Sequence, residues 1–285
     1  MSQTYDRATQ NVGNIISLEH VNTRVSDQTQ AHLFYVSGMG FTRDPYIDFG
    51  LRNMWINLGR QQFHLPLGAP QVLRGASGVV VPDVQALQGR LERVGKHLAG
   101  TAFDWREDHG HLTVSCPWGN RIEVFAPGAF GAMRLGLPYV RLDVPRGTAE
   151  GIARFYSDIM GAPADVAEAD GSAVARVAIG NEQALHYREA DGVVDHYDGH
   201  HIAVYIADFS GPYERLLERG LISRESNEVE YRFQRIVDPA SDDALFEIEH
   251  EVRSLTHPLY ARPLVNRNPA QTNVDYVRGR DALQV

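Results

Sequence analysis

The chain has little cysteine and no concentration of basic residues. Its single cysteine, Cys116, permits no internal disulfide and no metal site built from several thiolates. Lysine and arginine together number 27 against 36 acidic residues, which gives a net charge of -9. Proteins that bind nucleic acid or anionic membrane surfaces usually carry a basic face, so we expect neither kind of partner.

Long apolar runs are also missing. No stretch approaches the roughly 20 consecutive apolar residues that a membrane helix needs. The first fifteen residues, MSQTYDRATQNVGNI, lack the basic start and apolar centre of a signal peptide. We therefore expect a cytoplasmic protein that acts on a small molecule.

Internal repeats are the main feature that the sequence does contain. The segment QAHLFYVSGMGF (30–41) aligns with IARFYSDIMGAP (152–163), and PDVQALQGRLERVG (82–95) aligns with ADFSGPYERLLERG (207–220). All four segments are typical of amphipathic helices. Each follows an alternating apolar run and precedes two or three further strand candidates. The sequence thus predicts four copies of a βαβββ module.

The order of these modules predicts the domain organisation. We expect an N-terminal arm (1–15), two modules in 16–127, two more in 137–250, and a C-terminal arm (251–285). The Gly-rich segment PGAFGAMRLG between the halves favours sequential pairing, in which module one pairs with two and module three with four. The alternative pairs one with four and two with three. The proline-containing C-terminal arm is expected to pack on the body or on a neighbouring subunit of a homo-oligomer.

The repeated module resembles the vicinal oxygen chelate superfamily, which includes glyoxalase I, extradiol dioxygenases and bleomycin-binding proteins. The resemblance rests on the A-x-x-F-Y helix that ends in a Gly and on the strand GNRIEV, and it covers roughly residues 16 to 250. It implies an α+β fold in which four βαβββ modules pair into two open barrels. Each barrel would enclose a cup for a divalent metal.

The resemblance also indicates metal-ligand positions on the first and last strands of the modules. The candidates at these positions are His20, His64, Glu123, His186, His201 and Glu247. Glu249 is the second choice for the last carboxylate. Sequential pairing would give two equivalent sites, whereas the alternative would gather His20, His64, His201 and Glu247 in one. Imidazole and carboxylate ligands with open positions suit Fe(II), which we favour, and also Mn(II), Ni(II) or Zn(II).

Three strand residues that face the predicted cups are candidates for orienting a substrate, namely Tyr139, Arg141 and Tyr205. The favoured reaction is that of a non-haem Fe(II) dioxygenase or oxygenase on a catecholic or 2-oxo/hydroxy acid substrate, because this ligand set leaves more open positions than lyase chemistry requires. A glyoxalase-type lyase or isomerase is the first alternative. A metal-free small-molecule binding protein of the resistance type is the second.

Overall fold

The structure is a computed structural model and describes residues 5–193, 196–268, 271, 277 and 280–283. Four consecutive βαβββ modules build it, as the internal repeats predict. Module one comprises β1 (Ile15–Asn22), α1 (Gln28–Ala31) with a π-helical continuation (His32–Gly38), β2 (Thr42–Asp48), β3 (Asn53–Leu58) and β4 (Gln61–Pro66). Module two comprises β5 (Gly75–Val80), α2 (Val84–Gly95), β6 (Asp104–Asp108), β7 (His111–Ser115) and β8 (Arg121–Phe125).

The second half of the chain repeats this plan. Module three comprises β9 (Gly136–Val144), α3 (Ala149–Arg154) with a π-helical continuation (Phe155–Met160), β10 (Ala164–Ala169), β11 (Ser172–Ala178) and β12 (Ala184–Glu189). Module four comprises β13 (His201–Ile206), α4 (Ser210–Glu218), β14 (Ile222–Asn227), β15 (Glu230–Val237) and β16 (Ala244–Ser254).

The repeated Phe–Tyr pair explains why the helices dock where they do. Phe34 and Tyr35 in module one, and Phe155 and Tyr156 in module three, are almost completely buried in the apolar core. Large aromatic side chains dominate the apolar area that a core removes from water, so each pair anchors its helix on the sheet. The opposite face of each sheet is left to carry polar side chains.

The strands form two eight-stranded sheets. The first has the order β14-β15-β16-β13-β1-β4-β3-β2 and the second the order β10-β11-β12-β9-β5-β8-β7-β6. Module one therefore pairs with module four, and module two with module three. The favoured sequential pairing is wrong, and the alternative is confirmed.

The physical reason lies in the first strands of the modules. β1 pairs antiparallel with β13, and β5 pairs antiparallel with β9. All four first strands are largely buried, so burial alone cannot specify which partner each one takes. Close approach adds a constraint, because a Cβ at Gly75 would lie 1.9 Å from the carbonyl oxygen of Arg141. Each sheet combines one module from residues 16–127 with one module from residues 137–250. The limits of the two predicted domains therefore remain predictions.

The C-terminal arm packs on module one of its own chain. Asn266 donates to the carbonyl of Gly59 (2.9 Å) and accepts from its N–H (3.0 Å). Arg267 donates to the carbonyls of Val36 and Phe41, both at 2.7 Å. Parts of the predicted arms, 1–4, 269–270, 272–276, 278–279 and 284–285, lie outside the described residues. The homo-oligomer stays a prediction.

Among the helices that the structure describes, none has both the length and the apolar character needed to span a bilayer.

Gln183 joins the two sheets, which yields a stability prediction. Its side chain donates to the carbonyl of Leu137 (2.8 Å) and accepts from the N–H of Leu18 (3.2 Å), all in buried surroundings. Gln183→Ala should lower the free energy of unfolding by about 1–3 kcal/mol, because a buried junction loses both bonds. Urea denaturation measures this change. Gln88→Ala, which removes only an exposed bond to Glu107, is the control and should change it by less than about 0.5 kcal/mol. Equal effects of the two substitutions would contradict the assigned role.

Candidate metal centre

Three histidines meet on three adjacent strands of the first sheet. In the ladder, Asn22 on β1 pairs with His64 on β4 and with His201 on β13. His20 lies two residues before Asn22 on the same strand, so its side chain projects from the same face. One ring nitrogen from each of the three histidines lies within 4.8 Å of one from each of the others. The structure thus brings together three of the predicted ligands.

The Nε2 atoms of these histidines are buried and have no hydrogen-bond partner among the described residues. Leaving a buried polar atom unpaired costs about 1–3 kcal/mol, so three together impose a considerable cost that a shared cation would offset. Burial, with the nearby His20 and His201, lowers the pKa of His64 to about 2. The His64 ring is therefore neutral, which is the form that binds metals.

The other ring nitrogens have partners that orient the imidazoles. The Nδ1 atom of His20 pairs with the carboxylate of Glu19, and the Nδ1 atom of His64 lies 2.6 Å from the side-chain amide of Asn22. Metal binding through Nε2 of His64 requires a proton on Nδ1. The amide oxygen of Asn22 must then face the ring, an orientation that the amide reaches by a flip. Such partners fix both the tautomer and the direction of a ligand ring.

A β-bulge in β1 places Glu19 beside His20. Leu18 pairs with Val204, and His20 pairs with Ala203. The strand β1 therefore advances by two residues where β13 advances by one. The extra residue, Glu19, leaves the regular alternation, and its carboxylate reaches the ring that follows it. Bulges often redirect side chains in this way next to functional sites.

The carboxylate of Glu251 contacts one of the three Nε2 atoms, that of His201. Its Oε2 lies 3.5 Å from Nε2 of His201, while Glu249 lies 3.6 Å from Nδ1 of the same ring. Glu247 lies nearer the start of β16, where it pairs in register with Arg235 on β15. Within the described ranges it forms no ion pair with a histidine. The structure therefore places Glu251, rather than the predicted Glu247, at the histidines. Residues 247, 249 and 251 all follow the same alternation, so the sequence pattern alone could not choose between them.

A charged layer surrounds the histidines. Arg232 pairs with Glu230, Glu249 and Glu251, and Arg253 pairs with Glu19, Glu230 and Glu251. Four carboxylates thus share two guanidinium groups, which leaves two negative charges without a matching arginine in this described cluster. Burial raises the pKa of the Glu251 carboxyl, but the contact with His201, together with His20, Arg253 and Arg232, holds it well below its usual range. A divalent cation bound by the three imidazoles would balance the remaining charge.

Two further aromatic side chains complete this cup. Trp55 stacks on His64 with ring centroids 3.8 Å apart, and its buried Nε1–H has no partner in the described structure. Tyr205, which was predicted to orient substrate, accepts from Arg253 at 3.4 Å. Sequence reasoning missed several members of the site, namely Glu19, Asn22, Trp55, Arg232, Glu251 and Arg253. Only Glu251 carried a local signal, because it continues the alternation of Glu247 and Glu249.

The other predicted site residues lie together in the second sheet. Arg141 donates to both oxygens of Glu123 at 2.8 and 2.9 Å, and the hydroxyl of Tyr139 also donates to this carboxylate. Burial raises the pKa of the Glu123 carboxyl. The hydrogen bonds from Arg141 and Tyr139 lower this pKa by more, so it lies below its usual value. His186 stacks on Tyr139. Glu123 and His186 are therefore separated from His20, His64 and His201, and the two mixed sites expected from sequential pairing do not form.

Comparison with known proteins identifies the fold. No protein-family model and no curated protein sequence matches the chain. Glyoxalase I from Zea mays is similar in structure, with 16% identity and a TM-score of 0.58 over 84% of this chain and 92% of that one. A protein from Bacillus subtilis subsp. subtilis str. 168, provisionally described as a dioxygenase, gives 16% identity and a TM-score of 0.53 over 85% and 86%. The chain has the vicinal oxygen chelate fold. This confirms the resemblance and the predicted α+β architecture of four paired modules.

The position of the histidines on the vicinal oxygen chelate fold generates a test of metal binding. We expect purified protein reconstituted with Fe(II), Mn(II), Ni(II) or Zn(II) to retain a single ion per chain. His64→Ala and His201→Ala should abolish retention, because each removes a ligand from the cluster. Metal analysis after gel filtration measures the stoichiometry. His186→Ala is the matched control and should retain the ion, so loss from this variant as well would contradict the assignment.

Asn22 allows a sharper test, since it would not touch the metal itself. Asn22→Leu should weaken metal affinity about 10- to 100-fold, because the His64 ring loses the partner that fixes its tautomer. Asn22→Asp, which keeps an oxygen acceptor, should recover most of the affinity. Competition with a metallochromic chelator measures these values. Equal affinities of the Leu and Asp variants would show that Asn22 does not orient the ring.

Proposed function

We propose that the protein is a metal-dependent oxygenase that holds a divalent ion, Fe(II) in preference to Mn(II), Ni(II) or Zn(II), at His20, His64 and His201. Glu251 lies beside them, with Oε2 3.5 Å from Nε2 of His201. The substrate class is a small molecule that chelates through two oxygens, such as a catechol or a 2-oxo or 2-hydroxy acid. The observation that carries the proposal is the convergence of three buried imidazole Nε2 atoms that form no hydrogen bond in the described chain.

The donor set supports a redox metal with open positions. Three imidazole ligands would leave three positions of an octahedral ion open, which is enough for O2 and a substrate that chelates through two oxygens. When bound, Fe(II) would supply electrons and a common template for oxygen and a chelating substrate. The rigid central strands β4, β1, β13 and β16 supply all four ligand candidates, so their spacing is fixed before any ligand arrives.

The carboxylates favour an oxygenase over a lyase. A glyoxalase-type isomerisation needs a carboxylate that is free to accept and return a substrate proton. Glu251 instead pairs with Arg232 and Arg253. Glu249 is bonded to Arg232 at 2.7 Å, and Glu19 to His20 and Arg253. Carboxylates that are already bound by guanidinium groups are poor proton acceptors, which supports chemistry in which the chain moves no carbon-bound proton.

Trp55 and Tyr205 are the residues that we propose orient the substrate. The Nε1–H of Trp55 is a buried donor beside His64, and a substrate oxygen bound nearby would satisfy it. Tyr205 contacts Arg253 at the charged end of the same cup. Together they would hold a flat oxygen-bearing molecule between a stacked indole and a polar wall.

Oxygen consumption tests the reaction class. Protein reconstituted anaerobically with Fe(II) should consume O2 when given catecholic or 2-oxo acid substrates. The His64→Ala variant should be inactive, and His186→Ala, as the matched control, should retain activity. Turnover of a 2-oxoaldehyde–thiol adduct without O2 uptake would instead support the lyase. If metal is retained but neither reaction occurs, the proposed oxygenase is wrong.

The tryptophan donor gives a second kinetic prediction. Trp55→Phe keeps a ring on His64 but removes the N–H, so kcat/KM should fall about tenfold while the metal content is unchanged. Steady-state O2 uptake at several substrate concentrations measures this effect. If kcat/KM does not change, Trp55 has only a packing role.

A further inference from the structure

The second sheet contains a cup that matches, position by position, the cup of the first sheet that holds His20, His64 and His201. We call the cup of the first sheet the metal cup. In the first sheet, Asn22 pairs with His64 and His201, and in the second Gly78 pairs with Glu123 and Tyr139. Asn22 and Gly78 are therefore equivalent, and the strand pairings on either side of them give five more equivalent pairs. These are His20 and Ala76, His64 and Glu123, His201 and Tyr139, Glu251 and His186, and Ala203 and Arg141. The second cup is therefore the same piece of architecture with different side chains.

These replacements remove the need for a cation. Where the metal cup has excess negative charge, the guanidinium of Arg141 lies against the carboxylate of Glu123 and neutralises it. Within the described residues, this part of the second sheet has no group of three ligand atoms close enough to share an ion. The ring of Tyr139 extends over Gly78, where any Cβ would lie 2.3 Å from its Cε1 atom. The second cup thus contains an aromatic ring and a neutral ion pair at the positions of the metal ligands.

A cavity of about 330 Å³ opens beside this ring. Tyr139 and His186 form one wall, with centroids 5.1 Å apart and ring planes only 21° from parallel. Phe130 forms a second wall and is tilted 51° from Tyr139. Small-molecule sites commonly have volumes of about 300–1,000 Å³ and aromatic walls, so the cavity is large enough for a compact ring system.

We propose that the second cup is a metal-free binding site for an uncharged planar aromatic molecule that carries a hydroxyl or amino group. The ring of the ligand would pack against the stacked pair Tyr139 and His186, with Phe130 against its edge. The proposal is independent of the chemistry at the metal centre, because it uses a different sheet.

The polar groups at the cavity determine which ligands fit. His186 forms no hydrogen bond within the described part of the chain, so its ring nitrogens are available to a ligand. Burial, with the nearby Arg176 and Arg141, lowers the pKa of His186 to about 4. The ring is therefore neutral at pH 7 and offers one donor and one acceptor. The exposed carboxylate of Glu182 lies at the rim and would repel an anionic ligand.

Two probes that differ mainly in charge test this site. Metal-free protein is titrated by calorimetry with 2-naphthol and, separately, with 2-naphthoate at pH 7. We expect 2-naphthol to bind with a Kd below about 1 mM and 2-naphthoate to bind at least about tenfold more weakly. His186→Ala should weaken 2-naphthol binding about tenfold, because half of the stacking wall is removed. His64→Ala, in the metal cup, should leave binding unchanged.

Glu182→Gln keeps the shape of the rim and tests the charge selection without risk to the core, because this side chain is exposed. This substitution should reduce the difference in Kd between 2-naphthol and 2-naphthoate. Metal retention by His186→Ala shows that this variant is folded. The proposal is overturned if 2-naphthol shows no saturable binding, or if His64→Ala weakens binding while His186→Ala does not. It is also overturned if both probes bind wild type equally.

Discussion

The antiparallel pairing of β1 with β13 is the interaction on which the candidate metal centre depends. Each contributing module brings only two ligand candidates, His20 and His64 from module one and His201 and Glu251 from module four. Their convergence depends on a ladder between strands from opposite ends of the chain. Closing such a long loop costs conformational entropy, and the apolar burial of β1 and β13 offsets that cost. The candidate site is therefore a product of long-range topology.

The electrostatic arrangement around this pairing has two layers. The three imidazoles lie inside, and a layer of carboxylates and guanidinium groups surrounds them. Arg232 and Arg253 each contact three carboxylates, so they fix the position of Glu251 while leaving the cluster negative. Buried charges without counter-charges are costly, and a bound cation is the simplest means of completing the set. The same arginines limit the basicity of Glu251, so the feature that would retain a metal also restricts the chemistry of the site.

The sequence predicts those parts of the structure that have a local cause. Alternating strands, the Phe–Tyr helix motif and the acidic helix entry at Asp83, whose side chain accepts from the N–H of Ala86, are local patterns, and four modules follow from them. The pairing of modules has no such local signal, because all four first strands are largely buried and any two of them could pair. His20, His64 and His201 could be named from their positions in the repeat. Glu19 could not, since the bulge that redirects it is set by its partner strand.

The two cups show how one architecture can hold different chemistry. The backbone ladders are equivalent, so the difference lies in a few side chains, above all Arg141 in place of Ala203 and Gly78 in place of Asn22. A glycine at 78 admits the Tyr139 ring, and an arginine at 141 supplies internally the positive charge that a metal would supply in the first cup. The two cups are also mechanically connected. Gln183 lines the second cavity and accepts from the N–H of Leu18, two residues before His20. The bond from Leu18 to Gln183 therefore fixes the edge of the second cavity against the strand that carries Glu19 and His20.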